Sequence, residues 1–137
     1  MMPVHHRKEF NMNTTTAKQN LIFGKSMRKK SNDARLLYFI AFEVADGCGL
    51  FDAAFVLDIY HIPESALREL TEAKLLLFFE EEGVAAIVHW TVLANSSQKS
   101  KQSLFPEIKN QLVVRNGKYV RKESSAADDA EVIYMDK

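Results

Sequence analysis

Two short basic runs, Arg28-Lys29-Lys30 and Lys99-Ser100-Lys101, are the residues whose type and spacing suit a definite chemistry. Closely spaced cations pair with successive phosphates and release condensed counterions. The second run lies in Asn95-Ser-Ser-Gln-Lys-Ser-Lys-Gln-Ser, where hydroxyls and amides add donors for a phosphate backbone. That stretch reads equally as a flexible linker. Likewise, Arg28 to Lys30 read as a phosphate clamp at the head of the next helix or as a solvated face at the domain edge. Reactive groups elsewhere lack partners. Cys48 is the only cysteine, so no intrachain disulfide can form, and no His and Asn/Asp constellation points to it. Asp46-Gly-Cys-Gly has no following Lys-Ser/Thr and no preceding strand, which a phosphate loop needs. Glu80, Glu81 and Glu82 are adjacent in an exposed turn, with no partner group to make an acid/base pair. His5-His6 lack a third ligand and are expected to be solvated, and His89 is expected to be a partly buried polar neighbour of Trp90. No enzyme, no cofactor and no metal is the expectation.

Ser31, Asn32 or Asp33 can cap a helix running to about Ala45. Its apolar stripe is Leu36, Leu37, Phe39, Ile40, Ala41 and Val44. Asp46-Gly-Cys-Gly stops it. Leu50-Phe51 is expected to be a short strand pairing with a later hairpin, and Asp52 caps a second helix through Tyr60. Pro63 suits the first position of a third helix, which ends near Lys74 and turns Leu67, Leu70 and Ala73 inward. Only Arg68 and Lys74 are cationic on its outer side. Leu75 to Phe79 and Val84 to Val88 then form a hairpin whose acidic turn uses Gly83 at positive φ. Trp90 is expected to anchor the core. Pro106 to Val114 reads as a short helix docking through Leu104, Phe105, Ile108 and Leu112, followed by a turn at Asn116-Gly117. Helix, strand, helix-turn-helix and hairpin in that order describe an α+β fold of the winged-helix kind, here expected over residues 21–120. Residues 1–20 are expected to be a flexible arm and 121–137 a disordered tail with Val132-Ile133-Tyr134 as a short sticky element.

The 137 residues are 47% apolar and carry no net charge. Zero conceals segregation: residues 1–35 carry +6, 36–94 carry −8, 95–122 carry +6 and 123–137 carry −4. Screening over about 8–10 Å lets each block act locally. No run approaches the roughly 18 apolar residues of a membrane span, and a signal-peptide core is absent from residues 1–20, so the expected location is cytoplasmic.

Ala34-Arg-Leu-Leu-Tyr-Phe, the turn Ala45-Asp-Gly-Cys-Gly-Leu, and Leu67 to Leu77 leading into the hairpin resemble the N-terminal domain of phage replisome organisers. Ile87-Val-His-Trp, the Lys-Ser-Lys stretch and Ser103-Leu-Phe-Pro-Glu extend that likeness over about residues 21–120. The family's Asp-rich turn is depleted here and its Lys-Asp-Arg is reduced to Lys99-Ser100-Lys101. The resemblance implies a DnaD-type winged helix taking part in starting DNA replication. Such a domain binds origin DNA or self-associates, with a helicase or its loader as further partners. The larger second domain these proteins often carry does not appear in the sequence.

The sequence therefore leads to a DNA-binding expectation, with Arg28, Lys29, Lys30, Lys99 and Lys101 carrying most phosphate contacts and Arg68 and Lys74 secondary. A self-assembling protein-interaction module, acidic surface against basic arm, is the leading alternative. A transcriptional regulator with a two-fold operator is another.

Overall fold

The computed structural model describes residues 25–122. The expected arm, His5-His6 and the tail element Val132 to Tyr134 lie outside the described residues. The chain is a mixed α+β protein with two small antiparallel sheets. A single turn, α1 (Lys25–Arg28), precedes the long helix α2 (Asn32–Val44). Strand β1 (Leu50–Asp52) leads into α3 (Ala53–Tyr60) and α4 (Glu64–Glu72), and a hairpin follows, β2 (Leu76–Phe79) and β3 (Val84–Ile87). Three short turns, α5 (Trp90–Leu93), α6 (Ser96–Lys99) and α7 (Pro106–Lys109), lead to a second hairpin, β4 (Leu112–Arg115) and β5 (Lys118–Arg121).

Local chemistry accounts for most boundaries. Ser31 caps α2 through its side-chain oxygen, which accepts from the Ala34 N–H at 3.1 Å. Asp52 does the same for α3, accepting from the Phe55 N–H at 3.0 Å. Pro63 sits one position earlier than expected, as the cap residue of α4. Its backbone is extended (φ −72°, ψ 154°) while its carbonyl accepts the Ala66 N–H. Lys74 ends that segment at φ 63°. Gly83, at φ 72°, makes the acidic turn between β2 and β3.

Strand order in the larger sheet is β1-β3-β2, all antiparallel, with Leu50 opposite Ala86 and Leu77 on its other side. β3 is buried on both faces, which explains why Val84-Ala-Ala-Ile contains no polar residue. Ala85 and Ile87 face the helical core with Phe51 and Leu76. Val84 and Ala86 face a second cluster with Leu50, Phe79, Ile108 and Leu112. The segment after Trp90 thus roofs the outer face of the sheet.

Three expectations about the core change. Leu36, Phe39 and Val44 are 44%, 43% and 42% exposed. The body covers the side of α2 bearing Ala34, Leu37, Tyr38, Ile40, Ala41 and Phe42. Leu104 is exposed although its N–H is tied down. Helix α7 ends at Lys109, and Leu112 to Val114 belong to a strand instead. That strand pairs with β5 in the register Leu112–Arg121, Val113–Val120, Val114–Tyr119 and Arg115–Lys118. Arg121, expected in a disordered tail, is part of the fold: its Nη2 donates to the Phe78 carbonyl at 2.7 Å and its guanidinium lies 4.5 Å above the Phe79 ring. No helix among the described residues is long and apolar enough to cross a membrane.

Candidate nucleic-acid interface

The first basic run is fixed to the body through Ser31. Its N–H and hydroxyl both donate to the Glu69 carboxylate on α4, at 3.1 and 2.6 Å. Those two hydrogen bonds, the hydroxyl's above all, lower the Glu69 pKa against a small desolvation, and the nearby Lys30 charge adds to them. Met27, almost fully buried, anchors the same turn, and its carbonyl accepts the Lys30 N–H. Arg28 and Lys29 therefore project from a fixed turn, exposed, beside the C-terminal half of α4. Arg68, exposed on α4, precedes Glu69 directly, and Lys74 follows the helix end. Arg28, Lys29 and Lys30 thus sit at the N-terminal end of α2 beside α4, which carries Arg68 and is followed by Lys74. Asp33 and Glu72 are exposed in the same region and dilute its charge.

Lys99 and Lys101 lie at the opposite end of α2. Thirteen residues separate the two regions along the helix, about 20 Å at 1.5 Å per residue. The organising group there is Asp46, 3% exposed and the one buried charged residue among those described. Its Oδ1 accepts the N–H groups of Cys48 (2.8 Å) and Leu50 (3.0 Å), and its Oδ2 accepts that of Leu104 (2.8 Å). One carboxylate thereby closes the turn after α2 and pins the end of the Lys99 to Leu104 loop to it. Gly47 completes the contact: a Cβ there would lie 1.9 Å from the Lys101 carbonyl oxygen, so only glycine permits this approach. Trp90 supports the turn from beneath, donating its Nε1–H to the Gly47 carbonyl at 3.0 Å.

The polar stretch from Asn95 is not a free linker. Asn95 and Gln98 form a reciprocal capping box, with the Gln98 N–H on Asn95 Oδ1 and the Asn95 N–H on Gln98 Oε1, both at 2.8 Å. Lys99 Nζ donates to the Thr91 carbonyl at 2.8 Å, and the exposed side chain retains two further N–H donors. Thr91 Oγ1 in turn donates to the Gly117 carbonyl at 2.8 Å, at the tip of the second hairpin. Lys118, exposed beside that tip, belongs to the same region. It was missed in the sequence because Val113 and Val114 read as the end of a helix. Asn116-Gly117, flanked by Val113-Val114-Arg115 and Lys118-Tyr119-Val120, was the available signal. Both of its residues have positive φ, 55° and 78°.

The acidic turn Glu80 to Glu82 is exposed, and the carbonyl of its Gly83 accepts the Ala54 N–H at 3.0 Å at the start of α3. Remaining titratable groups are structural. Tyr119 donates its hydroxyl to the Cys48 carbonyl at 2.7 Å, and burial, with the Cys48 and Asp46 charges adding, pushes its pKa up to about 12. Tyr38 is buried with its hydroxyl unpartnered, and burial raises its pKa strongly. His89 is half-buried with Nδ1 unpartnered; desolvation first, then the Lys118 charge, lowers its pKa. Among the described residues, no three His, Cys, Asp or Glu side chains converge as a metal site.

No protein-family model, no curated protein and no solved structure matches this chain.

Proposed function

We propose that this chain is a winged-helix DNA-binding protein of the replication-initiation type, non-catalytic and acting in the cytoplasm. The order α2, β1, α3, α4, β2, β3 with sheet order β1-β3-β2 supports the winged-helix reading. One observation carries the function: two basic regions, Arg28 to Lys30 and Lys99 with Lys101, held rigidly at the two ends of α2 by Ser31–Glu69 and by Asp46. Rigid cations lose less side-chain freedom on meeting phosphate than cations on a mobile arm do. α4, whose outer side mixes Arg68 and Lys74 with Glu64 and Glu72, reads few base edges in this account. Contact is with the backbone, and therefore strongly salt-dependent. Origin DNA, further copies of the chain and a helicase or its loader are the partners that the sequence resemblance suggests.

The test is a duplex titration with wild type and with Lys99→Ala/Lys101→Ala. The account expects the double variant to bind more weakly and to lose about two units of log-log salt slope. Unchanged affinity and slope would remove these lysines from the interface.

A second reading has its own support. Phe55, Ile59 and Tyr60 on α3 are at least half exposed. They lie beside a groove of about 410 Å³ between α3, α4 and β2, lined by Leu57, Ile62, Leu67 and Phe78 with Asp58 and Glu64. An acidic, partly apolar surface of this kind suits a protein-interaction module, either a basic segment of a partner or a second copy. Sedimentation at low and high salt without nucleic acid separates it: charge-matched assembly dissolves as salt rises.

A further inference from the structure

We propose that the second hairpin, β4–β5, is a basic wing that lies along the phosphate backbone of DNA, with Lys118 at its centre. This rests on the DNA-binding reading above and assigns a contact element that the reading did not contain. The two hairpins have opposite chemistry. The β2–β3 turn presents Glu80, Glu81 and Glu82, three carboxylates that phosphate would repel. Residues 106–122, by contrast, contain Lys109, Arg115, Lys118, Arg121 and Lys122 against Glu107 alone. Arg121 is turned inward onto Phe78 and Phe79. Lys109, Lys118 and Lys122 are exposed.

Position matters as much as charge. Lys118 reaches the tip because the register places it opposite Arg115 across the Asn116-Gly117 turn. Its strand is bolted to the body by the Tyr119 N–H on the Val88 carbonyl (2.9 Å) and the Tyr119 hydroxyl on the Cys48 carbonyl (2.7 Å). The tip is joined to Lys99 by the hydrogen-bond chain Lys99 Nζ, Thr91 carbonyl, Thr91 Oγ1, Gly117 carbonyl. Lys99, Lys101 and Lys118 thus form a single rigid basic region assembled from two segments distant in sequence. Neighbouring phosphates along one strand of duplex DNA offer a matching row of anions. The contact reads no sequence, because phosphates carry none.

Three full-length variants test this against wild type on one duplex across a salt series: Lys118→Ala, Lys118→Glu and Glu81→Lys. Circular dichroism and thermal midpoints confirm that each is folded. Lys118→Ala is expected to weaken binding by about three- to tenfold near 0.1 M salt and to reduce the salt slope by about one unit. Lys118→Glu is expected to weaken it further, and Glu81→Lys to stay within about twofold of wild type. If wild type binds and Lys99→Ala/Lys101→Ala weakens it while both Lys118 variants bind normally, the basic wing is overturned and the DNA-binding reading stands. If Glu81→Lys changes affinity more than Lys118→Ala does, the acidic hairpin is the contacting wing and the assignment is reversed. If wild type shows no salt-dependent binding, both readings fall together.

Discussion

Asp46 is the residue on which the second basic region depends. Its carboxylate accepts three backbone N–H groups while almost fully buried, so its loss strands the buried Leu50 donor and the part-buried donors of Cys48 and Leu104. An unsatisfied buried donor costs about 1–3 kcal/mol. Asp46→Asn keeps the shape but turns an N–H₂ toward at least one of those donors. We expect it to destabilise the fold by about 2–4 kcal/mol, read as a lower denaturant midpoint at unchanged slope. Two residues should shape the pH dependence in separate windows. His89 has a folded pKa below its ordinary 6.5, so the unfolded chain binds the proton more readily. Its contribution is complete above about pH 6.5 and is lost as pH falls through the folded value. Glu69, also lowered, contributes above its ordinary 4.5 and loses that contribution as pH falls through its own folded value. Thermal midpoints from pH 8 to pH 5 should therefore fall less steeply for His89→Gln than for wild type, while Glu69→Gln should match wild type over that range and flatten the profile only below pH 4.5. Identical profiles for His89→Gln and wild type would contradict the assignment.

At the scale of elements, the turn after α2 and the Lys99 to Leu104 loop act as one unit. Gly47→Ala would drive a methyl into the Lys101 carbonyl. Overpacking of this kind costs about 1–3 kcal/mol, and the displaced loop should weaken DNA binding along with stability. A variant with native stability and native binding would show that the close approach is dispensable. The elements from α2 through β3 were legible in the sequence because local signals agreed. Ser31 and Asp52 cap, Gly83 turns, and the apolar runs Leu75 to Phe79 and Val84 to Val88 flank that turn. Past Trp90 that agreement ended. Val113 and Val114 read as the end of a helix from Pro106 that docks through Leu104, Phe105, Ile108 and Leu112. Their strand exists because Leu112 has a buried surface to meet and because Tyr119 finds Val88 and Cys48. Such contacts lie about 30 to 70 residues away along the chain and leave no periodicity to read. The stripe on α2 failed in the opposite way: six apolar residues made it wider than the body is able to cover.

For the whole molecule, sequence showed charge in blocks but not the arrangement of those blocks in space. Segments 1–35 and 95–122 both carry +6, and nothing along the chain places one relative to the other. Their described parts meet opposite ends of α2 because Ser31 caps its start and Asp46 follows its end. Arg28, Lys29 and Lys30 were legible as a cluster, and so were Lys99 and Lys101. Lys118 was not, because only the second hairpin brings it to Lys99. The exposed acidic turn Glu80 to Glu82 and the groove lined by Asp58 and Glu64 add negative surface, so one molecule presents surfaces of both signs. Under the proposed reading, DNA binding and protein docking would use different surfaces.

The dependence of duplex affinity on salt tests the central claim most directly. About five phosphate contacts from the two ends of α2 predict a log-log slope of about −4 to −5 for the full-length protein. Neutralising either basic region, Arg28→Ala/Lys29→Ala/Lys30→Ala or Lys99→Ala/Lys101→Ala, should make that slope shallower by about the number of charges removed. A slope indistinguishable from zero, or one that neither variant changes, would contradict the account.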